Sequence, residues 1–120
     1  MGCAVLIVDD SPISRKLVLK SLPPALVGDV AEAANGIEAL AALRARPRDL
    51  ILLDLNMPVM DGYQVLEALD GTALPPVVVL SGDIQPKAQE RVMALGARAF
   101  LKKPVRAEAL AAVLAACGLA

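Results

Sequence analysis

Two runs of consecutive apolar residues, 50–53 and 77–80, constrain the fold more than any other feature of this sequence. A strand with one wet face alternates apolar and polar residues, whereas an unbroken β-rich run needs cover on both faces, as in the middle of a parallel sheet. Parallel neighbours cannot be joined by a tight hairpin. They need a crossover, usually a helix.

Helical patterns fill every gap between the strand-like runs. Residues 4–8 read as a first strand, and Asp9-Asp10 follows it. Ser11 as an N-cap and Pro12 at the first helical position then start a helix whose apolar face is expected to be Ile13, Leu17, Val18 and Leu22. Pro23-Pro24 ends it, and 27–33 is a weaker strand with polar interruptions. After the Asn35-Gly36 turn, Ile37, Leu40 and Leu43 mark a second helix, and the run 50–53 ends at Asp54. Gly62 opens a third helix with Val65, Leu66 and Leu69 inward, and the run 77–80 ends at Ser81. Ala88, Val92 and Leu95 stripe a fourth helix closed by Gly96. A fifth strand, 99–102, leads to Lys103-Pro104 and a last helix striped by Leu110, Val113, Leu114 and Cys117. Because β-helix-β crossovers are right-handed, the expectation is α/β: a single open, doubly wound five-stranded parallel sheet flanked by five helices, one domain over 1–120.

Composition narrows the function. Hydrophobic residues make up 57% of the chain and aromatics 2%, which argues against a stacking platform for nucleic-acid bases. Twelve basic and thirteen acidic residues nearly cancel, so no global charge draws the chain to nucleic acid or to a membrane surface. No stretch is long and apolar enough to span a bilayer, and the N-terminus reads as a strand, not as a signal peptide. Cys3 and Cys117 have no CxxC spacing and are expected to be buried free thiols, which fits a cytoplasmic location. The chain contains no histidine, and this removes Ser-His-Asp triads, Cys-His pairs and histidine-bearing zinc sites.

In open α/β sheets the ligand site lies beyond the carboxyl ends of the strands. The residues that follow the strong strands are Asp9 and Asp10, Asp54, Ser81 and Lys103. Each alone would pass as a solvated loop residue. Together they form a cup of three carboxylates, which repel one another unless a cation intervenes. The available donors are oxygens, so a hard ion such as Mg²⁺ or Mn²⁺ is the natural occupant. Such a cup suits phosphoryl transfer: Asp54 would be the nucleophile, Asp10 would hold the metal, Asp9 would support it through water, and Ser81 would bond a phosphoryl oxygen.

The motifs VLIVDD at 5–10, ILLDLNMPVMDG at 51–62, VVVLSG at 77–82 and FLKKP at 100–104 resemble, in order and spacing, the receiver domain of two-component response regulators. The resemblance covers the whole chain and implies a flavodoxin-like receiver fold. It implies Asp54 as phosphoacceptor, Asp9 and Asp10 as the acidic pair, and Asn56 as donor of a backbone carbonyl to the metal. It also implies Ser81 as the switch hydroxyl, Phe100 as its aromatic partner, and Asn56 and Asp83 as residues that tune the lifetime of the acyl phosphate. Many relatives carry tyrosine where this chain has Phe100, so packing alone would report the state. Lys103 takes the lysine role over Lys102 because in the family that lysine directly precedes a proline, usually through a cis peptide. Tyr63 reads as a packing residue of the third helix.

The implied donor is a histidine kinase or a histidine-containing phosphotransfer protein. Residues 81–120 carry six basic and three acidic side chains. The face over 84–120, with Lys87, Arg91, Arg98 and Arg106, would meet an output domain, a partner protein or a second copy of the chain. No DNA-binding helix pair or kinase motif accompanies these motifs, so the expectation is a stand-alone regulator or one module of a longer protein. Three rivals remain at this point. A nucleotide- or flavin-binding domain conflicts with Asp9-Asp10, where a phosphate cradle needs glycine-rich backbone. A metal-dependent phosphatase would need an acid two residues after the nucleophile, where Asn56 stands. A degenerate receiver that only docks proteins would not need the full acidic set.

Overall fold

A computed structural model describes residues 2–69, 75–82 and 85–119. The elements alternate strictly: β1 (Cys3–Val8), α1 (Pro12–Ser21), β2 (Val27–Ala33), α2 (Gly36–Ala45), β3 (Leu50–Asp54), α3 (Gly62–Leu69), β4 (Val77–Ser81), α4 (Pro86–Ala94), β5 (Ala99–Lys102) and α5 (Ala107–Ala116). All strand pairs are parallel, in the order β2-β1-β3-β4-β5. The two unalternating runs become β3 and β4, the third and second strands from the β5 edge, and every residue of both is buried.

The alternation of side chains along each strand divides the core into two layers. Leu6, Val8, Ile51, Leu53, Val77 and Val79 pack with α2, α3 and α4. Val5, Ile7, Leu50, Leu52, Val78 and Leu80 pack with α1 and α5. Chain direction reverses its progress across the sheet between β1 and β3, and this switch point fixes the crevice at the carboxyl end. Gly62 keeps the loop leaving β3 tight, because a Cβ there would lie 2.6 Å from the Asp54 carbonyl oxygen. Gly96 ends α4 with φ at 105°, a conformation that side chains oppose.

Several details differ from the sequence expectation. Helix α1 does not bury the stripe read for it: Ile13 and Leu17 are 72% and 53% exposed, and only Val18 and Leu22 of the set enter the core. Ser14, Val18 and Leu22 form the inward row instead, and Ser14 on that row bonds Asp9 at the sheet end. Ile37 is 57% exposed, since α2 approaches through Gly36 and Ala39. On α4 only Val92 is fully buried. Both cysteines are partly exposed, not buried, and Cys117 lies at the C-cap of α5.

Candidate functional site

The register lines up the chemistry. Val8 lies beside Leu53, Asp54 beside Leu80 and Ser81 beside Lys102, so Asp9, Asp54, Ser81 and Lys103 fall along one rim of the sheet. Asp9, Asp54 and Lys103 continue the alternation of Ile7, Leu52 and Leu101, the residues of the α1/α5 layer. Ser81 and Phe100 continue the other layer, where Phe100 packs against the core beneath α4. Lys102 is exposed.

Asp9 is the most tightly held residue of the rim. Its Oδ1 accepts the Ser11 N–H at 2.9 Å. Its Oδ2 accepts the Ser14 hydroxyl and the Lys103 ammonium, the latter at 2.6 Å. Arg15 Nη1 donates to the Asp9 carbonyl oxygen at 2.7 Å while its Nε meets Glu32 Oε1 at 2.6 Å, which ties α1 to both β1 and β2. Burial alone would push the Asp9 carboxyl up, but Lys103, Ser14 and Ser11 outweigh it and hold the group below the ordinary carboxylate value.

Asp54 lies 3.3 Å from the same ammonium through Oδ1. Burial pushes its carboxyl up, Lys103 and the Asn56 N–H oppose this, and the neighbouring charge of Asp9 adds to the rise. The two aspartates thus share one lysine and shift in opposite directions. Lys103 reaches both from a cis peptide to Pro104, and its own N–H bonds the Ser81 carbonyl at 2.9 Å.

Asp10 is exposed at the mouth, and one oxygen each from Asp9, Asp10 and Asp54 lie within 4.8 Å of one another. Three carboxylates face one ammonium, so the set is short of positive charge and fits a hard, oxygen-seeking divalent cation. Asn56 is exposed beside this mouth, Ser81 is fully buried, and Asp83 lies outside the described residues.

The sequence reading missed three participants. Ser14 looks like an ordinary first-turn helix residue, and only the immediate passage from β1 into α1 hints that its hydroxyl can return to Asp9. Arg15 reads as a solvated helix charge. Tyr63 is more than packing: the Arg91 guanidinium sits 4.0 Å above its ring and 3.4 Å from Glu67, which ties α4 to α3.

Comparison with known proteins agrees with this geometry. A family model described as response regulator receiver domain matches residues 5–115. Two-component response regulator ORR41 of Oryza sativa subsp. japonica is 38% identical over 97% of this chain and 94% of its own length. Sensor histidine kinase RcsC of Salmonella typhi is 35% identical over 92% of this chain, which spans only 12% of that protein. Among solved structures, chemotaxis response regulator CheY4 of Vibrio cholerae superposes with a TM-score of 0.85 at 33% identity, covering 98% of this chain and 99% of its own. The chain belongs to the response regulator receiver domain family.

Proposed function

We propose that this chain works as a phosphoaspartate signalling switch, a single receiver domain over residues 1–120 that accepts a phosphoryl group on Asp54 from a phosphohistidine of a kinase or phosphotransfer protein. The observation that carries this reading is Asp54 itself: a carboxylate buried at the end of β3, 3.3 Å from Lys103 and clustered with Asp9 and Asp10.

Asp10, Asp54 and the Asn56 carbonyl would hold Mg²⁺ or Mn²⁺, with Asp9 acting through water. The ion would supply positive charge against the phosphoryl oxygens. An Asp54 carboxylate oxygen attacks phosphorus, a P–O bond forms as the P–N bond breaks, and the imidazole leaves with the electron pair. Lys103 and the Ser81 hydroxyl then bond the phosphoryl oxygens, and lysine, already between two carboxylates, needs only a small movement to do so. Movement of Ser81 makes room for Phe100, which lies in the layer under α4, and the change reaches the α4, β5 and α5 face offered to an output partner or a second copy. The chain catalyses only its own phosphorylation and dephosphorylation, with Asn56 and Asp83 setting the rate of the latter. A cytoplasmic setting, where such donors act, suits its two free thiols.

Treatment with acetyl phosphate and Mg²⁺, followed by borohydride reduction and peptide mapping, tests the site. Homoserine at position 54 is the expected product, and reduction at another aspartate would reject Asp54 as the acceptor.

A further inference from the structure

Asp9 has little coordinating capacity to spare. A carboxylate offers about four lone-pair sites. Ser14 and Lys103 fill both sites of Oδ2, and Ser11 N–H takes one of Oδ1. What is left for a metal, or for a water bound to it, is one site on Oδ1. Lys103 is also the donor that the phosphoryl group would draw away, because it already reaches Asp54.

We infer that Ser14 is a positioning residue for the metal centre: its hydroxyl pins Asp9 Oδ2, so that the remaining site on Oδ1 stays available to an ion when Lys103 turns toward Asp54. The inference rests on the function proposed above. Ser14 is well placed for such a task, since the Ser11 cap accepts its backbone N–H at 3.2 Å and it shares an inward row with buried Val18 and Leu22. Arg15, the next residue, fixes the Asp9 backbone from the same helical turn. Without the hydroxyl, the Asp9 carboxylate would be anchored through the Ser11 N–H alone whenever Lys103 left. Partners that orient a metal-binding carboxylate typically carry 10–100-fold of affinity, about tenfold at the low end.

Calorimetric titration of the unphosphorylated protein with Mg²⁺ tests this on the wild type, Ser14→Ala and Ser14→Thr, with thermal unfolding in EDTA to verify the fold of each. Ser14→Ala is expected to bind Mg²⁺ about tenfold more weakly at a near-normal melting temperature, and Ser14→Thr, which restores the hydroxyl, to recover most of the loss. Should Ser14→Ala unfold, Ser14→Cys retains the volume with only a weak donor and is expected to show the same loss. Wild-type affinity in a folded Ser14→Ala, or failure of threonine to rescue, overturns the inference and leaves the proposed function standing. Absence of Mg²⁺ binding by the wild type overturns both.

Discussion

At the β1–α1 corner of the rim, Asp9 is gripped by Ser11, Ser14 and Lys103 while Arg15 fastens its backbone to Glu32; in α4, which follows β4, Val92 alone is fully buried. Helix α3, on the same sheet face as α4, buries Gly62, Val65, Leu66 and Leu69. The difference suits the division of work in the proposed switch. The acidic corner must hold charged groups still against their mutual repulsion, whereas a reporting element must change position for a free energy that one phosphoryl group can supply. In α4 much of the tethering is lateral, through Arg91 to Tyr63 and Glu67, and exposed ties of that kind yield easily.

The largest expected effect comes from comparing cores. Leu66→Ala should cost about 3–4 kcal/mol in urea unfolding and Val92→Ala about 2 kcal/mol, with hydrogen exchange rising across α4 in the second variant before the rest of the molecule opens. Equal costs with uniform exchange would break the contrast. The arginines sharpen it next. Arg15→Ala removes charge-assisted bonds at a largely buried side chain and should cost about 2 kcal/mol, while Arg91→Ala should cost about 0.5 kcal/mol and still loosen α4 in exchange measurements.

One effect has the opposite sign. Asp54 titrates above the ordinary value of 3.8, so protonation favours its folded form: that contribution is complete below 3.8 and is lost as pH rises through the folded pKa. At neutral pH the buried ionised group disfavours folding, and Asp54→Asn in EDTA should stabilise by about 1 kcal/mol. The gap should narrow as pH approaches 3.8. Asp9, held below 3.8, behaves in the reverse sense, with stability present above that value and lost as pH falls through its lowered pKa.

Much of this was legible in the chain because strands announce themselves locally. The runs at 50–53 and 77–80 became the fully buried β3 and β4, and residues 99–102 became β5 with the expected bounds. The choice of Lys103 over Lys102 came from the resemblance, in which the lysine directly precedes a proline, and Lys103 is the lysine that lies beside Asp9 and Asp54. What stayed hidden depends on partners that periodicity does not encode. The inward row of α1 includes Ser14, which bonds Asp9, so a reading based on apolar spacing chose Ile13 and Leu17 and missed it. The Arg91–Tyr63 contact joins helices with a strand between them, and nothing at either position points to the other.

The central claim is that Asp54 carries the phosphoryl group in a metal-dependent reaction. Intact-mass spectrometry after incubation with acetyl phosphate and Mg²⁺, beside an EDTA control and Asp54→Asn, tests it most directly. One phosphoryl adduct is expected on the wild type and none in either control. A folded, Mg²⁺-binding wild type that takes up no phosphoryl group, or an Asp54→Asn protein that still does, would contradict it.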